Sequence, residues 1–111
     1  MPADCVFCKI ISREFDTELV YEDEAAVAFK DINPIAPVHL LVVPRKHIPT
    51  LLDLDRDDEA LIGHLHAVIN ELARAYELDK TGYRVITNCG RDAGQAVFHL
   101  HLHLIGGKPL K

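Results

Sequence analysis

His99, His101 and His103 fall at i, i+2 and i+4 in the segment His99-Leu100-His101-Leu102-His103-Leu104-Ile105. A β-strand sends alternate side chains to opposite faces, so this spacing predicts three imidazoles on one face and Leu100, Leu102 and Leu104 on the other. On a helix the same spacing would scatter the rings, because only i+3 and i+4 neighbours meet there. Neutral imidazole has two ordinary uses, as a ligand for zinc and similar metals and as a base or nucleophile. The cluster taken alone suits both equally. An affinity tag would be consecutive and terminal, without an interleaved apolar face.

Attack on phosphorus by histidine splits one displacement into two through a covalent intermediate. The attacking nitrogen must be unprotonated, and the other ring nitrogen needs an acceptor that fixes the tautomer. His101, with a histidine on each side, is the natural candidate. Upstream, Gly94-Gln95-Ala96-Val97 offers backbone amides and one side-chain amide of the kind that surround phosphate oxygens. An ordinary turn is the plainer reading of Gly94 and Gln95 when the histidines are set aside.

The elements that must position these groups follow from periodicity and punctuation. Residues 6–12 read as a short helix, or as a turn that presents Cys5 and Cys8. Leu19-Val20-Tyr21 and Ala25-Ala26-Val27-Ala28-Phe29 flank an acidic stretch and predict a hairpin. Two prolines make residues 31–37 a loop, and Val38-His39-Leu40-Leu41-Val42-Val43 is a buried strand ended by Pro44. A long helix is predicted over 56–77, with Asp55 as N-cap and Leu61, Leu65, Val68, Ile69, Leu72 and Tyr76 as its buried stripe. His64 and His66 lie two apart on this helix, read as rim residues without a role. Tyr83-Arg84-Val85-Ile86-Thr87 is a further strand, followed by a glycine-bearing loop and the histidine strand. This order predicts an α+β fold: a mainly antiparallel sheet of about five strands, one long helix covering one face, a short N-terminal helix, and histidines on the other face.

At 111 residues the chain has the length of one domain, 1–111. No apolar run approaches the ~20 residues of a membrane span, and Met1-Pro2-Ala3-Asp4-Cys5 shows no secretory pattern, so the expected compartment is the cytoplasm. Three cysteines point to thiols or metal ligands rather than a disulfide framework; Cys89 has no evident partner. A net charge of −5 provides no basic footprint for a nucleic-acid backbone. A small anionic ligand stays compatible with it, because amides and a few placed donors can hold a phosphate.

The stretch 94–107, in which histidines alternate with hydrophobic residues before Gly106-Gly107, resembles the signature of the histidine-triad (HIT) family. Phe7-Cys8-Lys9-Ile10-Ile11, Phe29-Lys30-Asp31-Ile32-Asn33-Pro34, Ala36-Pro37-Val38-His39 and Pro44-Arg45-Lys46-His47-Ile48 are similar, in order and spacing, to segments of its nucleotide-binding (Hint) branch. The resemblance implies a homodimer that binds purine nucleoside monophosphates and hydrolyses their phosphoramidates through a nucleotidyl-histidine. It implies His101 as nucleophile, His99 as the residue whose carbonyl orients it, and His103 and His39 as the rest of the cluster at the phosphate. Asp31 would accept from the ribose hydroxyls. Ile32, Phe29, Phe7 and Ile10 would form the base slot, although Phe29 and Ile32 read on spacing alone as core. Asn88, Gln95 and the amide of Val97 would face the phosphate.

Ala96 departs from the family pattern, since many Hint relatives carry there a serine that assists the departing amine. Two other readings therefore stand beside the phosphoramidase: a dinucleoside polyphosphate hydrolase, and a nucleotide-binding or interaction module with vestigial turnover. The ending Gly106-Gly107 and the short chain resemble Hint more than the polyphosphate hydrolases. Cys5-x-x-Cys8 is a weak signal alone, but His47 and His99 are two further ligands of the right type. The similarity to bacterial members with this pattern implies a structural zinc; two reduced thiols in a short helix is the plainer alternative.

Overall fold

Five strands pair antiparallel throughout, in the order β1-β2-β3-β5-β4, in a computed structural model that describes residues 4–111. They are β1 (Leu19–Glu22), β2 (Ala26–Lys30), β3 (Val38–Pro44), β4 (Tyr83–Ile86) and β5 (Leu102–Gly106). The short helix α1 (Val6–Ile11) precedes them, and the long helix α2 (Glu59–Ala75) connects β3 to β4. The α+β architecture predicted from the periodicities is the one observed. Residues 1–3, part of the stretch read for a secretory signal, lie outside the described residues.

Strand alternation divides the core in two. Ala26, Ala28, Leu40, Val42, Leu102 and Leu104 face α2 and meet Leu65, Val68, Ile69 and Leu72 of its stripe. Val27, Phe29, Leu41 and Val43 face the other way and pack against Phe7, Cys8, Ile10 and Ile11 of α1. Central strands β2 and β3 are apolar on both faces because both are covered, which is why they read as nearly continuous apolar runs. At about 25 cal/mol per Å² of apolar area removed from water, this two-sided burial is the main stabilising term.

Two boundaries differ from expectation. Helix α2 starts at Glu59, because residues 56–58 form a 3₁₀ turn in which Asp55 accepts from the Asp57 amide and Asp58 returns a bond to the Asp55 amide. The two acidic side chains thus satisfy orphan donors one turn ahead of the helix proper. The histidine strand is also shorter than its alternation suggests. The ladder opens at Leu102 opposite Val42, so His99 and His101 lie in irregular chain before it and only His103 belongs to β5.

His64 has a role that its spacing did not suggest. Its Nε2 is 2.6 Å from Asp23 Oδ2, which also accepts from the Tyr21 hydroxyl at 2.6 Å, while Asp23 Oδ1 accepts from the amides of Ala25 and Ala26. Helix α2 is thereby tied to the β1–β2 hairpin. Burial pushes the Asp23 carboxyl up, but donors from Tyr21, Ala25, His64 and Ala26 outweigh it and hold the group well below the usual carboxylate range. The same hydrogen bond, with burial and the Asp23 charge adding to it, raises Tyr21 to about 12.

Candidate functional site

On the α1 face of the sheet a cleft of about 550 Å³ opens, within the range common for small-molecule sites. Phe7 and Ile10 of α1, Phe29 of β2, and Ile32 after it form its apolar wall. Phe7 and Phe29 meet edge to face with centroids 5.5 Å apart. Both are also buried core, as spacing alone suggested for Phe29. Ile32 is 91% exposed at the mouth, which its apolar character alone would not predict. Asp31, Asn88, Ala96 and Val97 line the polar end with His101 and His103.

Four ring contacts decide the histidine protons. His101 Nδ1 lies 2.8 Å from the His99 carbonyl, which can only accept, so Nδ1 carries a hydrogen and the lone pair of the neutral ring is on Nε2. Phe7 stands edge-on to the same ring at 5.1 Å and 89°. His39 Nδ1 accepts from the Ile35 amide at 3.2 Å, so the proton of neutral His39 is on Nε2. That atom is 2.9 Å from His103 Nδ1 and 3.3 Å from Asp31 Oδ2. His103 is thereby fixed as the Nε2–H tautomer. Burial, then the neighbouring His101 and His39, lowers the pKa of His103, with the Asp31 charge opposing. Asp31, His39 and His103 also lie close enough to hold a cation together. Coordination through His39 Nε2 would move its proton to Nδ1, against the Ile35 N–H, and the hydrogen-bonded relay is the arrangement these donors satisfy.

The loop into the histidines owes its path to two left-handed glycines, Gly90 (φ 90°) and Gly94 (φ 85°), which bracket the 3₁₀ turn Arg91–Ala93. Gln95, expected to face the phosphate, does not line the cleft. It is 6% exposed, its Oε1 accepts from the Gly90 amide, and its Nε2 donates to the carbonyls of Pro49 and Val97. These backbone groups occupy both amide hydrogens, the donors a phosphate would need. Gln95 therefore shapes the loop that presents Ala96 and Val97. Lys30, Phe15 and Thr17 line the cleft without having been singled out in the sequence. Lys30 adjoins Asp31, a signal that was available; Phe15 and Thr17 sit in a connection with no motif.

Behind the cleft, Cys5, Cys8, His47 and His99 converge with their donor atoms all within 4.8 Å of one another. His99 Nε2 donates to the Pro44 carbonyl at 2.8 Å, leaving Nδ1 as a lone pair. That atom is 3.5 and 3.6 Å from the two thiols and 3.1 Å from His47 Nδ1, which is 3.3 Å from Cys8 Sγ. A tetrahedral zinc with ordinary bond lengths would separate S from N by about 3.6 Å and N from N by about 3.3 Å. The four residues fit a closed site, with the Pro44 carbonyl as the outer partner that sets the ring. Burial, then neighbouring Cys5, raises the Cys8 thiol to about 11. Burial also lowers the pKa of His99, with the Pro44 bond opposing and His47 and His101 adding to the lowering. The Lys46–Asp58 pair, 2.6 Å apart, ties the segment that carries His47 to the approach to α2.

A sheet of this topology with alternating histidines beside an apolar cleft defines a histidine-triad domain, and the HIT domain family profile matches residues 12–110. The chain belongs to the HIT family. It is 46% identical over 109 residues to an uncharacterized HIT-like protein of Synechocystis, covering 98% of this chain and 95% of that one. It is 41% identical over 110 residues to the purine nucleoside phosphoramidase of Escherichia coli, covering 99% and 92%. A HIT family hydrolase of Clostridium thermocellum has a solved structure with a TM-score of 0.97 and 45% identity, covering 100% of this chain and 96% of that one.

Proposed function

We propose that this protein hydrolyses purine nucleoside phosphoramidates to the nucleoside monophosphate and a free amine. The observation that carries the reading is the His101 tautomer: its Nδ1–H is committed to the His99 carbonyl, so Nε2 is the nucleophile of a ring that lines the cleft. Phe7, Ile10, Phe29 and Ile32 would enclose the base, and Asp31 would accept from the ribose hydroxyls. Asn88 and the Val97 amide would hold the phosphate with His103, whose Nε2–H is directed by His39.

His101 Nε2 attacks the α-phosphorus, a P–Nε2 bond forms, and the P–N bond to the amine breaks. Residue 96 carries no hydroxyl, so the departing nitrogen takes its proton from water. A water molecule then attacks phosphorus, the electron pair of the P–Nε2 bond returns to the ring, and the spare proton goes to solvent. Burial disfavours the charged form of His103, and the neutral ring can donate its Nε2–H to a phosphate oxygen.

We propose further that zinc fills the Cys5–Cys8–His47–His99 site as a structural ion and takes no part in the reaction. The protein is proposed to act as a homodimer in the cytoplasm, where its thiols stay reduced. Ala96 favours one second reading, a nucleotide-binding module with residual turnover. His101→Ala should abolish turnover of adenosine 5′-phosphoramidate and leave adenosine monophosphate binding within a few-fold. Undiminished turnover in that variant would refute the assignment, and binding without turnover in the native chain would favour the module.

A further inference from the structure

Phe15 lines the cleft but has no part in the base slot proposed above, and it stands there because of how α1 ends. The Arg13 amide donates to the Ile10 carbonyl at 3.1 Å and the Glu14 amide to the Lys9 carbonyl at 2.9 Å, with Arg13 in the left-handed region at φ 63°. These two bonds are the Schellman reversal, which closes a helix and turns the chain back. Left-handed backbone is costly for a residue with a Cβ, and side chains around it hold it in place. Arg13 pairs with Glu22 of β1, and the Ser12 hydroxyl donates to the Glu14 carboxylate at 2.8 Å. Phe15 is thereby delivered to the cleft wall by an ordered turn, with 44% of its surface still exposed.

This is the end of the cleft away from the histidines. Helix α1 starts at Cys5, 3.5 Å from His99 Nδ1, and its six residues carry the reversal about 9 Å along the axis. Beyond the reversal, Leu19 pairs antiparallel with Phe29, so residues before Leu19 run toward those after Phe29, where Ile32 also lines the cleft. Phe15 and Ile32 therefore border one mouth, and both leave much apolar surface in water. A purine joins ribose through its five-membered ring, so with the phosphate at His101 the six-membered ring and its exocyclic nitrogen point to this mouth. Phe15 and Ile32 offer that edge apolar area and no hydrogen bond. We propose that they form a subsite for an apolar substituent on the exocyclic nitrogen, so that N-alkylated purine nucleotides bind in preference to unsubstituted ones. The proposal rests on the base-slot reading and names the substrate class within it.

The test titrates the full chain with adenosine monophosphate and its N6-benzyl derivative, and with guanosine monophosphate and its N2-benzyl derivative. At least one derivative should bind about tenfold more tightly than its parent, the gain from covering about 60 Å² of apolar surface. Nuclear Overhauser contacts should run from its benzyl protons to the Phe15 ring and the Ile32 methyls. Phe15→Ser should remove the gain, Phe15→Leu should keep most of it, and both should leave the parent nucleotides within about threefold. Phe15 lies outside the buried clusters, so neither variant removes core. Equal binding of both derivatives and their parents by the native chain would overturn the proposal, as would a Phe15→Ser loss shared equally by derivative and parent. Sedimentation of the same variants covers the other occupant: altered self-association with no change in ligand preference would assign the patch to a second copy of the chain and overturn the subsite. A native chain that binds none of the four nucleotides would count against the nucleotide reading itself, whereas parents bound without a gain from benzylation count against the subsite alone.

Discussion

Replacing Gln95 by methionine separates two roles that the sequence leaves together. Methionine keeps nearly the same length and bulk and removes one acceptor and one two-proton donor. The Gly90 amide and the carbonyls of Pro49 and Val97 would then lose their side-chain partner in a nearly closed site. Each stranded group costs about 1–3 kcal/mol, less where water can reach it or the Val97 carbonyl can turn to solvent. A total near 3 kcal/mol is about a 10–15 °C fall in Tm for a domain of this size. Urea unfolding and calorimetry at one fixed protein concentration measure it, so that any self-association is held constant. Adenosine monophosphate affinity should fall only about threefold, through the displaced Val97, well short of the tenfold that 1.4 kcal/mol of direct contact represents. If Gln95 instead donates to phosphate, stability will be nearly unchanged while affinity falls tenfold or more, and that result would refute the argument.

Ala96→Ser should raise turnover about a hundredfold, the low end of what a positioned proton donor contributes, with adenosine monophosphate affinity unchanged in a titration. Asp23→Ala should destabilise the chain by about 2 kcal/mol by stranding the Ala25 and Ala26 amides, measured by urea unfolding. The folded Asp23 pKa lies below its unfolded value, so its contribution is fully present above about pH 4 and is lost as pH falls through the folded value; unfolding free energies against pH for native and Asp23→Asn chains should converge in acid. The lowered pKa of His103 acts in the same sense at higher pH. Unfolded His103 takes its proton first, near pH 6.5, so stability declines as pH drops below that point, and His103→Gln should flatten this part of the profile.

The secondary structure was legible because each element satisfies one local rule. The α2 stripe repeats at the helical period, Pro34 and Pro37 exclude regular structure from their loop, and the apolar runs of β2 and β3 mark strands covered on both faces. The shared face of the alternating histidines was legible for the same reason, since the period of two held even where the ladder did not. Gln95 was misplaced because a side-chain amide suits a phosphate and a loop carbonyl equally; only the fold brings Pro49 beside it, 46 positions away. His64 was passed over because its partner lies 41 residues back in a hairpin, and no helical period carries that information.

By itself the sequence determined the inventory: which residues could attack phosphorus, which could ligate a metal, and which faces had to be buried. Side-chain type and local period suffice for that. Only the tertiary structure decided which partners each histidine ring meets. Register between β3 and β5 sets His39 Nε2 on His103 Nδ1, while the irregular chain before Leu102 turns the His99 carbonyl onto His101 and its ring toward the thiols. A tautomer is a property of the partner on the far nitrogen, and these partners are supplied by contacts between distant parts of the chain.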